Sequence, residues 1–141
     1  MIYLCFDLGL SHTGVAISQE GVLVTPLDTI RSKTTFELIK KLSKEIKTHR
    51  PDIVVIGQPL HGPINTLALN IKVKLSKIFP QQKIVLFPED LSSQEASLKL
   101  IQSSATKNKR QKLKHSASAT LILEDYLNSS PPSQSSTNQS I

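Results

Sequence analysis

Two hydrophobic periods alternate along the chain. Apolar runs at Ile2 to Phe6, Thr13 to Ser18 and Leu23 to Thr29 are punctuated by Gly9, Gly14 and Gly21, a pattern of short strands joined by tight turns. They predict an antiparallel meander. From Thr34 the period lengthens. Phe36, Ile39, Leu42 and Ile46 recur at three or four residues over a lysine-rich opposite face, and Thr34-Thr35-Phe36-Glu37 has capping-box spacing. This predicts an amphipathic helix that ends before Pro51. Ile53 to Ile56 is a continuous apolar run closed by Gly57-Gln58-Pro59, the mark of a strand covered on both faces.

A second helix is expected from about Asn65 to Phe79, a second buried strand at Ile84 to Phe87, and a further helix to about Ser103 after the capping-box spacing of Ser92-Ser93-Gln94-Glu95. After a basic loop, Leu113, Ala117, Leu121 and Leu127 keep helical spacing through a last helix, with Ala117 and Ala119 small enough for close packing on a sheet. Three antiparallel strands followed by alternating helices and strands give an α/β fold. Its sheet is mixed and five-stranded, with later strands parallel and helices on its faces. One domain over residues 1–127 accounts for these elements. Residues 128–141 are Ser, Pro, Gln, Thr and Asn with a terminal Ile and are expected to form a disordered tail.

Composition narrows the class. The apolar fraction of 38% fits a globular body, and a net charge of +6 favours acidic partners such as nucleic acid. Aromatic content of 4% makes backbone contact a stronger expectation than base stacking. Cys5 is the single cysteine, so an internal disulfide is impossible, and its place in an apolar run suits a small buried hydrophobe in a reducing compartment. No stretch reaches the roughly 18 apolar residues of a membrane span, and the N-terminus lacks signal-peptide features. A cytoplasmic protein is expected, without a membrane partner. His12, His49, His61 and His115 lack the spacing of a structural zinc site.

Ligand chemistry in such sheets gathers at the carboxyl ends of the strands. Asp7 follows strand one, Gly57 strand four and Glu89 strand five, so one edge could hold all three. A carboxylate at the opening of the first hairpin, beside glycine backbone, suits a divalent cation and the phosphate oxygens it bridges. Read blandly, Asp7 starts a turn, and Glu89 is an exposed loop acid placed before a helix dipole.

With the elements placed, the chain resembles the YqgF family of Holliday-junction-resolvase-like proteins, also called pre-16S rRNA nucleases, which have a ribonuclease H-like fold. The resemblance covers about residues 1–127. It rests on Asp7-x-Gly9 with Gly14-Val15-Ala16, on Gly57-x-Pro59, on Glu89 followed by Leu91-Ser92-Ser93 and Glu95-Ala96, and on Ser116-Ala117-Ser118-Ala119 leading to Ile122-Leu123-Glu124. It implies a cytoplasmic nuclease acting on ribosomal RNA precursors, with acids that hold Mg2+ or Mn2+. By motif, Asp7 would be the central metal ligand and Glu89 the second, while Gly9 and Gly14 would let backbone approach phosphate.

Three departures stand out. Family members usually carry basic residues where this chain has Ser11 and His12. Their Asp-Glu-Arg triplet is here Pro88-Glu89-Asp90, and the acid that usually heads the last helix is here His115. An imidazole coordinates manganese well but is a poorer magnesium ligand than a carboxylate. His115 therefore stands either as a third catalytic residue or as a helix-start residue of no special role. Lys107, Lys109, Arg110, Lys112 and Lys114, in the predicted loop before the last helix, either neutralise RNA phosphates or form a solvated surface. The implied function is a metal-dependent endonuclease of pre-ribosomal RNA. The alternatives are an RNA-binding ribosome-assembly protein with weakened catalysis, a resolvase of branched DNA, and an actin-like phosphate-binding hairpin. The last needs a second domain for which the chain has no room.

Overall fold

The computed structural model describes residues 1–89 and 107–129, with side chains described for 1–89 and 117–129. Its elements are β1 (Tyr3–Asp7), β2 (His12–Ser18), β3 (Thr25–Arg31), α1 (Thr35–His49), β4 (Ile53–Gln58), α2 (Pro63–Ile78), β5 (Lys83–Pro88) and α3 (Lys107–Ser129). The strands form one sheet in the order β3-β2-β1-β4-β5. The pairs β1–β2 and β2–β3 are antiparallel, and β1–β4 and β4–β5 are parallel. The mixed five-stranded sheet expected from the sequence is present. The expected helix ending near Ser103, and the tail from residue 130, lie outside the described residues.

Alternation along the strands divides the core between the two faces of the sheet. Leu4, Phe6, Val15, Ile17, Val54 and Ile56 point to one side, where Leu38, Leu42 and Ile46 of α1 and Ala68, Ile71 and Leu75 of α2 cover them. Cys5, Ala16, Ile53 and Val55 point to the other, against Ala119, Ile122 and Leu123 of α3. Because β1 and β4 are covered on both faces, they read as continuous apolar runs. Tyr126 anchors the C-terminal part of α3 against Tyr3 and Phe87, with ring centroids 6.1 and 5.7 Å apart.

Local chemistry explains the helix boundaries. Thr34 Oγ1 accepts the Glu37 N–H at 3.1 Å, but the reciprocal carboxylate reaches one residue further back, accepting the Lys33 N–H at 2.6 Å. The Lys33 N–H and then the Lys41 ammonium hold the Glu37 carboxyl below its ordinary value. That contribution is present above the ordinary carboxylate range and is lost as pH falls through it. Arg50 ends α1 in the left-handed region, φ 49°, with its N–H on the Ile46 carbonyl at 2.9 Å, and Pro51 prevents continuation. Pro63 starts α2 at its first turn, two residues ahead of the expected Asn65.

Several expectations are corrected. Phe36 is not part of the α1 core stripe: it is 80% exposed, and Leu38, Leu42 and Ile46 carry that stripe. The period alone could not choose between two overlapping i, i+4 sets. The third strand starts at Thr25, not Leu23, because Val22 and Leu23 turn outward in the preceding loop at 77 and 81% exposure. On α3 the buried face is Ser118, Ala119, Ile122 and Leu123, not the set containing Ala117 and Leu121. Lys107 to Lys114 belong to the first two turns of α3, not to a loop, and His115 lies inside the helix, not at its head. Residues 107–129 contain no Gly or Pro to stop the helix, so it takes in the basic run.

Urea unfolding tests the α1 assignment. Leu42→Ala should lower stability by about 2–5 kcal/mol, as expected for truncating a fully buried leucine. Thr34→Ala should cost about 1 kcal/mol through the lost cap. Phe36→Ala should stay within about 0.5 kcal/mol of the parent.

Candidate active site

The surroundings of Asp7 follow from strand register. Asp7 is the last residue of β1. It pairs across the antiparallel ladder with Gly14 of β2, and one step beyond the Phe6–Ile56 pair it stands beside Gly57 of β4. Laterally paired positions share a face, so Gly14, Asp7 and Gly57 lie on the side that carries Cys5, Ala16 and Val55. A residue without a side chain therefore flanks Asp7 on each side, at about one strand spacing, ~4.8 Å. The floor on either side of the half-buried carboxylate is thus backbone.

Glu89 closes that floor from the β5 side. Its N–H donates to the Gln58 carbonyl at 3.0 Å, and the residue is only 7% exposed, so the exposed-loop reading of this acid does not hold. Its carboxyl group lies on Gly57. A Cβ at position 57 would be 3.0 Å from Glu89 Cδ, 3.2 Å from Oε2 and 2.7 Å from Ile122 Cδ1. Only glycine leaves room there for both the acid and α3. Asp7 and Glu89 thus converge on one strip of sheet, with Cys5 beneath them. Burial pushes the Cys5 thiol well above its ordinary value, and the nearby Asp7 and then Glu89 charges push it further.

The hairpin that presents Asp7 is tight for a steric reason. A Cβ on Gly9 would collide with the His12 carbonyl oxygen, so the turn of residues 8–11 closes in this form only around glycine. Leu8 is buried and pins the turn to the α1/α2 side of the core. Beside Gly14 the β2–β3 ladder slips: Thr13 pairs with Ile30 but Val15 pairs with Leu27. Asp28 and Thr29 together oppose Gly14 in a β-bulge.

The bulge also places a residue that the sequence did not single out. Arg31 ends β3 paired with His12. Since Ile30 faces the α1/α2 core, Arg31 faces the side of Asp7, and it is exposed. A guanidinium therefore stands at the edge whose first loop carries Ser11 and His12. The His12 ring itself meets Ser11 Oγ through Nδ1 at 3.0 Å. The sequence places Gly57 on this edge, at the end of an apolar run, but not the use that the Glu89 carboxyl makes of its missing side chain.

Of the other expected site residues, Gly9 and Gly14 belong to the hairpin around Asp7. His115 is in α3, the helix that packs on β1, β2 and β3, seven residues before Ile122. The side chains of His115, Lys107, Lys109, Arg110 and Lys112 lie outside the described residues, as does Asp90. Among the described residues, no group of three or more His, Cys, Asp and Glu side chains is gathered closely enough to hold a metal ion. No helix among the described residues is long and apolar enough to cross a membrane.

Comparison with known proteins agrees with this architecture. The fowlpox virus resolvase, solved with Holliday junction DNA, superposes with a TM-score of 0.61 at 19% identity, covering 92% of this chain and 98% of the viral one. Thermus thermophilus RuvC, solved with its Holliday junction substrate, gives 0.57 at 17% identity, over 92 and 96% of the two chains. At such identities the likeness concerns the fold, which is ribonuclease H-like. In sequence, the chain is 33% identical over 136 residues to a Mycoplasma capricolum protein named "Putative pre-16S rRNA nuclease", covering 89% of this chain and 94% of the relative. A Staphylococcus carnosus protein of the same name is 35% identical over 131 residues, 87 and 92% of the two. The family model described as "RuvX: Holliday junction resolvase" matches residues 1–129, and the chain belongs to that family, the one its Asp7, Gly57 and Glu89 motifs resemble.

Proposed function

We propose that this chain is a divalent-cation-dependent endonuclease that trims ribosomal RNA precursors at the 16S 5′ end. The observation that carries the reading is the Glu89 carboxylate laid on Gly57 beside Asp7. Two acids held this close on a largely covered floor repel each other, and a cation between them relieves that repulsion. The relatives' names supply the substrate, because fold alone does not.

The donor set fits a hard divalent cation. Both groups are carboxylates, which such ions prefer, and the missing side chain at Gly57 lets the Glu89 carboxyl lie beside Asp7. When bound, the cation would supply Lewis acidity towards the phosphate and its leaving oxygen. The protein's own residues do the rest. Asp7 and Glu89 fix the charge at one point of the sheet edge, and the glycine hairpin lets backbone approach the substrate. Arg31 faces a neighbouring phosphate with a guanidinium, a role usually filled from the first loop. Lys107, Lys109, Arg110 and Lys112, set on the opening turns of α3, bind the RNA backbone without reading sequence. His115 contributes an imidazole where a carboxylate is usual, which favours Mn2+ over Mg2+. Pre-ribosomal RNA or the ribosomal particle carrying it is the partner, and branched DNA is the competing substrate.

A cleavage assay on a structured RNA containing the 16S 5′ flank, run beside a four-way DNA junction, tests the reading. Asp7→Asn and Glu89→Gln should each reduce RNA cleavage by more than about 100-fold, more than is typical of losing a group that only orients a metal ligand, with far-UV circular dichroism unchanged. Cutting of the junction in preference to the RNA would replace the substrate. Retained RNA binding with no cleavage in either metal would make the chain a binding protein of this fold.

His115→Asp separates the metals. It should raise Mg2+-supported turnover relative to Mn2+-supported turnover. Equal ratios in variant and parent would remove His115 from the site.

A further inference from the structure

The layer away from the proposed active face holds most of the chain's surplus charge. α1 and α2 together carry seven lysines against two glutamates, a surplus of five in a chain of net charge +6. Both glutamates are engaged locally: Glu37 pairs with Lys41 at 3.3 Å, and Glu45 with His49 at 3.3 Å. Among the described residues no carboxylate forms an ion pair with Lys40, Lys44, Lys47, Lys74 or Lys77.

Helical spacing orders these lysines. With Leu38, Leu42 and Ile46 buried against the sheet, the opposite line of α1 at steps of three or four residues runs Phe36, Lys40, Lys44, Lys47. All four are exposed. Phe36 is the anomaly: a phenylalanine left 80% exposed at the head of a lysine row, contributing little to the core. Lys74 and Lys77 of the neighbouring α2 are exposed as well. Phe36 also stands at the right end of the molecule. α1 starts four residues after Arg31, and the Lys41 ammonium ties the two by donating to the Arg31 carbonyl at 2.6 Å. The row therefore leaves the carboxyl-end edge that holds Asp7 and runs back along α1 for about 17 Å at 1.5 Å per residue.

We infer that Phe36, Lys40, Lys44 and Lys47 form a track for a single-stranded extension of the RNA substrate, with Phe36 stacking on an unpaired base at the site edge and the lysines, supported by Lys74 and Lys77, following the phosphates. An aromatic platform followed by a row of cations is the chemistry that single strands recognise: every base has a π-face, and the backbone is a line of anions. An acidic polypeptide would use the lysines but gain little from the ring. The inference rests on the reading of the chain as an RNA enzyme.

The test measures affinity of the full chain for two labelled RNAs, one a hairpin ending flush and the other the same hairpin with a single-stranded extension, over a salt series without divalent ion, together with cleavage of the flush hairpin in Mn2+. With the extended RNA, Phe36→Ala should weaken binding at least about fivefold, the low end for one stacked base, with an unchanged salt slope. The triple variant Lys40→Gln, Lys44→Gln, Lys47→Gln should lower the log–log salt slope by about two, at roughly 0.7 per single-strand phosphate contact. Neither should alter affinity for the flush hairpin or its cleavage. Parent-like binding of the extended RNA by both variants would overturn the track while leaving the nuclease reading intact. A parent chain that binds the flush hairpin but does not cleave it would overturn the nuclease reading instead. Competition by polyglutamate equal to that by RNA at matched charge would also overturn the track, making the face a site for acidic proteins.

Discussion

The missing side chain at position 57 is the constraint on which the site depends. β1 and β4 pair in parallel at the centre of the sheet, so the residue beside Asp7 is set by the ladder and cannot be moved without moving the core. Gly57 occupies it, and two groups use the vacated space: the Glu89 carboxyl and the Ile122 methyl. An alanine there would push into both, separating the acids or lifting α3. Catalytic geometry and core packing therefore meet at one backbone position, which is why an otherwise ordinary buried strand carries glycine one residue before its end.

The same ladder divides the labour of the molecule. Alternate residues of β1 serve opposite faces, so Phe6 completes the hydrophobic layer under α1 and α2 while Asp7 faces α3. The Asp7 and Glu89 carboxylates lie on the α3 side and the lysines of α1 and α2 on the other, with the sheet between them, while the opening turns of α3 carry a second basic run from Lys107 to Lys114. Arg31 and Phe36 stand at the carboxyl-end edge. Basic residues on both helical layers favour the approach of a polyanion that the two carboxylates alone would repel.

Much of the fold was legible because its signals are local. The glycine hairpin after Ile2 to Phe6, the uninterrupted apolar runs of β4 and β5, and the Thr34 cap each announce an element from a few residues. Asp7 and Glu89 were legible through motif and strand-end position. What was not legible depends on tertiary choices. Phe36 has the same spacing as Leu42 and Ile46, and only the sheet decides that the stripe runs through Leu38. The bulge opposite Gly14 shifts β3 by one residue, so the pairing of Arg31 with His12 cannot be counted from the turn. The lysines before Leu113 look like a loop when read for charge, yet lysine and arginine are good helix formers, and α3 absorbs them.

The most direct measurement is a Mn2+ titration by calorimetry on the parent, Asp7→Asn, Glu89→Gln and the double variant. If the two carboxylates hold one ion, either single change weakens binding by more than about tenfold, and the double variant loses little more than the worse single one, since the site is already broken. Effects that simply add, or a Glu89→Gln variant that binds Mn2+ like the parent, would show that Asp7 and Glu89 do not share a cation.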